Sequence, residues 1–420
     1  MRQTVPMLTT DSASGTDTLS TPFDHAARQR RLWEKMDAAG VDVLFLPASQ
    51  SDLEYFTGVP RRAPSFGNIG YTNHWISGAF VSPGEEPLFV LTRHFQEFDL
   101  PEGVSGEVVT ATESDDGREV FRRAFDSYRA RTGVVAIGGR PTDEHCAHEG
   151  VSSERIALAG RTWAETAVEL RNHRPEAEFV VADGLINEIR RIKDDQEIAL
   201  MRRSAAIVDH VMQAVAPLVV SGVTELDLAA EVDLQMRRLG SPGASFDTGV
   251  WAMGPALGRD ASVRVSTNTL GPGSGVSFDF GAITRGYCSD FGRTVHIGDP
   301  NEEYLEVYDI VIAAQEAGRR AAVVGATGGD VHRATRAVIE DAGYGDWFRH
   351  RTGHCIGLDV HELPYISEED ETPLEAGMLF TIEPSVFWPG RVGVRVEDVF
   401  LLSDDGCASI NDHPNAPVVN

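Results

Sequence analysis

Residues 276–296, VSFDFGAITRGYCSDFGRTVH, contain the pattern from which the fold of the second half of the chain is inferred. Apolar and polar side chains alternate from position 276 to position 280, and Thr284-Arg285-Gly286 then supplies a turn. Alternation with a period of two, followed by a short turn that contains glycine, is typical of a β-hairpin. The stretch therefore predicts two antiparallel strands.

Two aspartates lie on this predicted hairpin. A turn centred between Thr284 and Arg285 places Asp279 directly opposite Asp290, with their Cβ atoms about 5 Å apart. Two carboxylates that close, within an apolar hairpin, repel each other unless a proton or a cation lies between them. The pair indicates either a metal site or two exposed acids, and this hairpin alone does not separate the two interpretations.

A second hairpin with the same arrangement is predicted at residues 379–402, LFTIEPSVFWPGRVGVRVEDVFLL. With its turn centred on Gly390, Glu383 lies opposite Glu397 across an apolar ribbon. Exposed acids are a poor explanation for two hairpins that share the same pairing of carboxylates. Together the hairpins favour a site at which four carboxylates converge.

Three histidines lie between the hairpins, in residues 350–366, HRTGHCIGLDVHELPYI. Gly353 and Gly357 flank His354 and permit close approach of the backbone. The candidate metal ligands are four carboxylates and one imidazole: Asp279, Asp290, His354, Glu383 and Glu397. This oxygen-rich set suits two divalent cations, with manganese or cobalt preferred and zinc or iron as alternatives. Four negative charges balance two such ions but are too many for one.

Size and composition limit the class of protein. The 420 residues suggest two domains, and 42% hydrophobic and 24% charged residues are typical of a soluble globular protein. The net charge of -27 disfavours nucleic acid or an anionic membrane as a partner, because both are polyanions. The sequence has no apolar run of membrane-spanning length and no signal-peptide pattern at its start, so a cytoplasmic location is predicted.

The order of predicted elements divides the chain into three segments. Residues 1–22, rich in Ser, Thr and Asp, are expected to form a disordered leader. Residues 23–188 alternate helical and strand-like patterns, including a strand at 133–137 and a short helix at 176–182, and predict a smaller α/β domain. Residues 189–420 predict an α+β domain with a mostly antiparallel sheet.

The motifs DFGAITRGYCSDFGRT, GHCIGLDVHELP, EPSVF and GVRVED resemble those of the creatinase, prolidase and aminopeptidase P superfamily, metallopeptidase family M24. The resemblance covers roughly residues 186–412 and extends more weakly to the first domain. It implies a pita-bread catalytic domain of the α+β class after a smaller creatinase-like α/β domain. It also implies a dinuclear-metal hydrolase that cleaves a C–N amide bond, with X-Pro dipeptides as the default substrate class, and a homodimer.

The resemblance assigns a role to each candidate ligand. Asp279 resembles the first metal ligand. Asp290 and Glu397 resemble the ligands that bridge the two ions. His354 resembles a ligand of one ion only, and Glu383 resembles a ligand that also shuttles a proton.

Two further residues match motifs of the family. His361, in the HELP stretch, resembles the histidine that stabilises the tetrahedral intermediate, and Arg395, in GVRVED, resembles an arginine that contacts a substrate carboxylate. The implied mechanism follows from metal chemistry, since two divalent ions make a hydroxide available for attack near neutral pH. Glu383 then passes a proton to the leaving nitrogen, and His361 donates a hydrogen bond to the developing oxyanion.

One residue expected from the resemblance is missing. Peptidases of the family carry another histidine upstream of the first aspartate, and its position in this chain falls near Ala261 or Ser262. His74 or His350 is a candidate to replace it, and we predict that His350 contacts substrate. Other charged residues near this position could serve a different substrate: Arg259, Asp260 and Arg264.

Three hypotheses follow from these observations. The first is a dinuclear-metal hydrolase of X-Pro dipeptides. The second, motivated by the missing histidine, is a metabolite-specific relative that acts as a hydrolase of a non-peptide amide or amidine, or as a lyase. The third is a non-catalytic protein on the same scaffold, which the complete set of five ligands argues against. The first two predict a dipeptide or small-molecule partner, without nucleic acid or membrane.

Overall fold

The computed structural model describes residues 21–61, 71–95, 100, 103–132, 154–255, 257, 261–262 and 264–420. The chain forms two compact units that divide between Ile189 and Arg190. The smaller unit comprises Pro22–Ile189, and the larger comprises Arg190–Asn420 together with Thr21. The predicted leader lies outside the described residues up to position 20, and so does the strand predicted at 133–137.

Among the residues that the structure describes, the smaller unit is built on one sheet of six strands in the order β4-β3-β2-β1-β5-β6. Its strands are β1 (Val43–Pro47), β2 (Gly78–Val81), β3 (Leu88–Thr92), β4 (Glu107–Ala111), β5 (Arg155–Leu158) and β6 (Glu178–Val181). Its helices are α1 (His25–Ala39), α2 (Ser51–Thr57), α3 (Gly117–Thr132), α4 (Ala164–His173) and α5 (Asp183–Arg190), the last of which ends at the division between the units. A short 3-10 helix lies at His74–Ile76.

The core of the smaller unit explains this mixed architecture. Strand β1 is buried along its whole length, and Phe45 packs on Phe80 with ring centroids 5.1 Å apart.

The helix predicted at residues 176–182 is wrong, because Phe179 and Val180 belong to β6, which pairs in parallel with β5. This segment forms a strand because β5 offers it backbone hydrogen-bond partners. A short helix here would leave the backbone groups at that edge of β5 without partners in the sheet.

The larger unit combines four long helices with antiparallel sheets. The helices are α6 (Asp195–Val215), α7 (Glu225–Arg238), α8 (Glu302–Ala321) and α9 (Gly328–Asp341), with 3-10 helices at Ala216–Leu218 and Gly345–Trp347. Asp194, Thr224 and Thr327 each close a capping box at the start of a helix, which fixes where α6, α7 and α9 begin. None of the described helices combines the length and hydrophobicity needed to cross a membrane.

The strands of the larger unit group around two hairpins. They are β7 (Gly249–Met253), β8 (Gly275–Phe280), β9 (Ile283–Thr284), β10 (Tyr287–Cys288), β11 (Phe291–His296), β12 (Gly353–Cys355), β13 (Glu362–Ile366), β14 (Leu379–Ile382), β15 (Ser385–Trp388), β16 (Val392–Arg395), β17 (Asp398–Ser403), β18 (Gly406–Ser409) and β19 (Val418–Val419). The first hairpin lies in a four-stranded sheet in the order β19-β11-β8-β7. The second lies in a five-stranded sheet in the order β13-β12-β14-β17-β18, and β15 and β16 extend it as a separate ribbon.

The first hairpin differs from the predicted register by two residues. Asp279 lies opposite Gly292 and not opposite Asp290, so the predicted direct pair is wrong. The turn consists of Arg285 and Gly286, with φ angles of 46° and 86°, because a two-residue turn of this kind needs positive φ at both positions. An offset of an even number of residues leaves each side chain on its predicted face, and the two aspartates still converge.

The second hairpin has the predicted register. Ser385 pairs with Arg395 in the outer ribbon, and Ile382 pairs with Asp398 in the inner one. Glu383 and Glu397 occupy the corresponding positions between these two ladders. The register is correct because Gly390, with a φ of 73°, lies in the turn as the sequence pattern predicts.

A buried ion pair joins the two hairpins behind the acidic residues. Arg293 on β11 and Asp398 on β17 are each 3% exposed, and an Arg293 Nη2 atom lies 2.7 Å from Asp398 Oδ1. The same guanidinium donates to the backbone oxygens of Gly292 and Glu397, at 2.8 and 2.7 Å. A single side chain therefore connects both hairpins at the level where their carboxylates lie.

We expect Arg293→Met to destabilise the protein by about 3–5 kcal/mol, because it leaves the buried Asp398 carboxylate without its cation. The free energy of unfolding, measured by urea denaturation, checks this value. Arg333→Met is the matched control, since its pair with Asp330 is about half exposed and contributes little. Similar stability for the two variants would contradict the assignment.

Candidate metal centre

The two hairpins meet through the backbones of Gly292 and Glu397. The Glu397 amide donates to the Gly292 oxygen at 2.9 Å, and the Gly292 amide donates to the Glu397 oxygen at 3.3 Å. Asp279 lies opposite Gly292 on the other side of β11, so the three residues form a row across three strands. A Cβ at position 292 would lie 2.8 Å from Glu397 Oε2. The missing side chain therefore leaves the space in which the carboxylates of Asp279 and Glu397 converge.

Three of the four carboxylates lie at interruptions between strands. Asp290 lies between β10 and β11, Glu383 between β14 and β15, and Glu397 between β16 and β17. At such interruptions the backbone leaves the regular ladder, so a side chain can be redirected without breaking the alternation on either side. All three residues are buried.

The five predicted ligands are brought together. Carboxylate oxygens of Asp279, Asp290 and Glu397 all lie within 4.8 Å of one another. His354 Nε2 lies 3.4 Å from Asp290 Oδ2 and 3.5 Å from Glu383 Oε1. Asp290 thus belongs both to the group of three acids and to the pair formed by His354 and Glu383.

The donor atoms fit a cation. Among the described residues, Asp290 Oδ1 and Glu397 Oε2 are buried and have no hydrogen-bond partner. His354 Nδ1 lies 3.1 Å from the oxygen of Cys355, and since that carbonyl can only accept, Nδ1 carries the hydrogen. In this neutral tautomer the Nε2 lone pair faces carboxylate oxygens. Acceptors that face acceptors in a buried space require a proton or a cation between them.

The electrostatics of the cluster indicate the same deficit of positive charge. Burial is the largest cause that raises the pKa values of Asp279, Glu383 and Glu397. The pKa of Glu397 is raised furthest above its usual range, because the charges of the other three acids add to its burial. Burial lowers the pKa of His354, but hydrogen bonding to Asp290 and the charges of Glu383 and Asp290 outweigh it, so the net shift is upward.

Arg395 supplies a positive charge inside the cluster. Its Nη1 lies 2.7 Å from Asp279 Oδ2, and its guanidinium lies within 3.8 Å of Glu383 and Glu397. The side chain is 6% exposed, so these contacts form away from water. The predicted contact of Arg395 with a substrate carboxylate stays a prediction, and its observed partners are the candidate ligands themselves.

His350 lies beside Arg395. Its Nδ1 donates to the Arg351 oxygen at 2.6 Å, while Nε2 lies 2.5 Å from Ser385 Oγ and 3.4 Å from Arg395 Nη2. Burial, and next the charge of Arg395, lower the pKa of His350 to about 3. The ring is therefore neutral at pH 7 and accepts at Nε2. His350 supports Arg395 in this position, and its predicted contact with substrate stays a prediction.

His361 lies next to His354, with ring centroids 4.2 Å apart. Desolvation, and next the charge of His354, lower the pKa of His361 to about 4, so at pH 7 the ring is neutral and offers one N–H.

The loop that carries His361 is held by the neighbouring Glu362, which accepts from Arg190 at 2.5 Å and from Lys193 at 2.9 Å. Sequence reasoning missed this buried trio, although Lys193 is one of only two lysines in the chain.

An arginine lies close to where the missing histidine was expected. Arg264 Nη1 lies 3.0 Å from Asp279 Oδ2, and its guanidinium stacks over Trp251 at 4.6 Å from the ring centroid. Arg259 and Asp260 lie outside the described residues. His74 belongs to the smaller unit, where its ring packs on Trp163.

A buried cluster of four carboxylates on two paired hairpins, with one imidazole from β12 beside them, has the donor types that hold metal ions in hydrolases. The model of metallopeptidase family M24 matches residues 199–404. The chain is 30% identical over 344 residues to the putative dipeptidase YkvY of Bacillus subtilis, covering 82% of this chain and 89% of that one. It is 37% identical over 255 residues to the Xaa-Pro dipeptidase of Pyrococcus furiosus, covering 61% and 73%.

Solved structures give the same result. A prolidase from Thermococcus sibiricus superposes with a TM-score of 0.82 at 27% identity, covering 95% of this chain and all of that one. A dipeptidase PepE from Mycobacterium ulcerans superposes with a TM-score of 0.75 at 28% identity, covering 95% and 99%. The chain belongs to metallopeptidase family M24 and is a metal-dependent hydrolase. The predicted family and the predicted pita-bread fold are confirmed.

We expect Gly292→Ala to weaken divalent-cation binding by about 10-fold or more, because the added methyl group displaces the Glu397 carboxylate from Asp279. Isothermal titration with Mn²⁺ measures the affinity. Gly271→Ala is the matched control, since its added Cβ would meet no atom within 4 Å. Unchanged affinity in Gly292→Ala would show that the row of Asp279, Gly292 and Glu397 does not set the geometry of the centre.

Proposed function

We propose that this chain hydrolyses X-Pro dipeptides and that two divalent ions bind to its five buried donors. The observation that carries this proposal is the pair of buried carboxylate oxygens, on Asp290 and Glu397, that have no partner among the described residues. The names of the relatives support the substrate class, since two of them are an Xaa-Pro dipeptidase and a prolidase. The buried position of the cluster supports a tightly held cofactor.

The proposed ligand set is divided between the two ions. Asp279 would hold the first ion and His354 the second, while Asp290 and Glu397 would serve both. Asp290 suits a shared role because it lies within reach of both the three-acid group and His354. Glu383 completes the second group, with Oε1 3.5 Å from His354 Nε2. We propose manganese or cobalt as the native metal, with zinc or iron as alternatives, because four of the five donors are carboxylates.

When bound, two divalent ions supply a hydroxide at neutral pH and polarise the scissile carbonyl. Glu383 is the proposed proton carrier, and it passes a proton to the nitrogen of the departing proline. His361 donates its N–H to the oxyanion that develops from the carbonyl.

We further propose that the protein works as a homodimer in the cytoplasm. The dimer follows from the resemblance to family M24, in which the N-terminal domain of one subunit commonly lies near the active site of another. The location is proposed from the four widely spaced cysteines, among which the sequence contains no C-x-x-C pair.

A non-peptide amide is the second candidate substrate. It is favoured by one observation, the replacement of the expected histidine by Ala261 and Ser262, with Arg264 beside them on Asp279. A cation in place of a neutral ring changes which substrate groups the site can bind.

We expect hydrolysis of Ala-Pro to be at least about 10-fold faster than hydrolysis of Ala-Ala after reconstitution with Mn²⁺ or Co²⁺. The reason is the substrate class of the relatives, an Xaa-Pro dipeptidase and a prolidase, since proton delivery by Glu383 serves the leaving nitrogen of both dipeptides alike. Product release measured over a panel of X-Pro and X-Ala dipeptides checks this selectivity, with chelated protein as the blank. Equal rates for X-Pro and X-Ala dipeptides would contradict the preference for proline. No product from any dipeptide would exclude the peptidase and leave the non-peptide amide as the substrate class.

We expect Asp290→Asn to reduce the bound metal from two ions per chain to one or fewer, because a shared ligand loses its charge. Elemental analysis of the reconstituted protein gives the count. Asp209→Asn provides a matched control, because Asp209 is also buried but accepts from the Asn411 side chain and the Asp412 amide, away from the five candidate ligands. Two ions retained in Asp290→Asn would remove Asp290 from the proposed ligand set.

A further inference from the structure

Arg264 stands out as a charged residue at the metal centre to which neither the ligand set nor the proposed mechanism assigns a role. Its Nη1 shares one oxygen, Asp279 Oδ2, with the Nη1 of Arg395, at 3.0 and 2.7 Å. The two arginines differ in access, since the Arg395 side chain is 6% exposed and that of Arg264 is 43% exposed. Arg264 therefore reaches from solvent onto the edge of the cluster, whereas Arg395 lies inside it.

The surroundings of Arg264 are shaped around its guanidinium. Trp251 is 1% exposed and provides a fixed aromatic face, over which the guanidinium carbon lies 4.6 Å from the ring centroid. Gly249 lies beside it on the same strand, and a Cβ there would come within 3.3 Å of Arg264 Nη1. The aromatic face fixes the plane of the guanidinium, and the glycine leaves room for its Nη1 atom.

The backbone that carries Arg264 is held in an unfavourable conformation. Val265 has a φ of 52°, a region that β-branched residues rarely adopt because the backbone is strained there. The buried carboxylate of Glu225 fixes this conformation, because it accepts from the amides of Ala252 at 2.7 Å and Ser266 at 2.8 Å. The Val265 amide also donates to the Val250 oxygen at 2.8 Å. Several elements thus hold a strained residue next to Arg264, as is common at binding sites.

Arg264 and Arg395 are two cations that meet at one carboxylate oxygen, Asp279 Oδ2. After burial, the positive charges of Arg395, Arg351 and Arg264 lower the pKa of His350. This convergence occurs in a protein whose net charge is -27. Two divalent ions would balance the four carboxylates and leave the charges of Arg264 and Arg395 uncompensated, and uncompensated guanidinium groups attract an anionic part of a ligand.

We infer that Arg264 binds a carboxylate of the substrate and so determines specificity for substrates with a free carboxylate. The inference rests on the proposed function, because it assigns a recognition group within the same site. A planar guanidinium matches a carboxylate with two parallel hydrogen bonds, which neither a histidine nor a lysine can offer. Asp279 loses its need for a second guanidinium when a divalent ion neutralises it, and Arg264 is the more accessible of the two. Arg264 thereby takes a substrate-binding place in the segment that lacks the expected histidine.

The test compares ligands that differ only in the carboxylate. Isothermal titration measures the binding of L-proline and of L-prolinamide to the metal-reconstituted protein, and kinetics compare Ala-Pro with its C-terminal amide. Arg264→Met keeps the apolar stem over Trp251 and removes the charge, Arg264→Lys keeps the charge without the planar fork, and Arg333→Met is the charge-matched control on α9. Binding of Mn²⁺ is measured for every variant.

We expect Arg264→Met to bind L-proline about 10- to 100-fold more weakly than the wild type, with prolinamide binding and Mn²⁺ binding unchanged. The loss on Ala-Pro should appear mainly in KM, and Arg264→Lys should recover part of it. Arg333→Met should match the wild type in all measurements.

Three outcomes would overturn the inference: no binding of L-proline to the wild type, an equal loss for proline and prolinamide in Arg264→Met, or a loss of Mn²⁺ affinity that accounts for the whole effect. The last would show that Arg264 only positions Asp279. A wild type that binds proline through Arg264 but hydrolyses no dipeptide would contradict the peptidase and leave the role of Arg264 intact.

Discussion

The pair of backbone hydrogen bonds between Gly292 and Glu397 is the constraint on which the rest of the centre depends. Each hairpin alone places its acids on one face, but neither alone makes a site. The two bonds bring the hairpins into register with each other, so that Asp279, Gly292 and Glu397 lie in one row. Because Gly292 has no side chain, the row contains a gap, and the carboxylates on either side can approach a common point.

Buried carboxylates that lie close together repel each other, and arginine side chains reduce this repulsion. Arg293 neutralises Asp398 behind the row, and Arg395 contacts Asp279 within the cluster. These two cations are too few for the acids that they face, as the raised pKa values of Glu383 and Glu397 indicate. The protein therefore leaves part of the negative charge to be balanced by divalent ions. Arginines and metal ions both neutralise the buried carboxylates. The arginines determine how much negative charge is left for the metal ions to balance.

Much of this arrangement was predictable from residue types and periodicity. The second hairpin could be placed correctly because Gly390 marks the turn, and the first was displaced because Arg285, which also adopts positive φ, carries no sequence signal for it. The error was an even number of residues, so the convergence of Asp279 with the other acids was still predicted correctly. Two other features that were missed depend on a partner elsewhere in the chain. The role of Gly292 depends on Glu397, which lies beside it, and residues 178–181 form strand β6 because they pair with β5.

The segment that lacks the expected histidine instead carries Arg264, whose guanidinium contacts Asp279. A histidine and an arginine differ in charge at neutral pH, so exchanging them changes the chemistry that the site selects, even if the metal ligands are identical. Here the arginine is held by a strained Val265, which Glu225 clamps from the start of α7. Retaining such strain is favourable only when the resulting side-chain position is used. The metal ligands determine which bond can be hydrolysed, and the residues on the strained loop determine which molecule presents that bond.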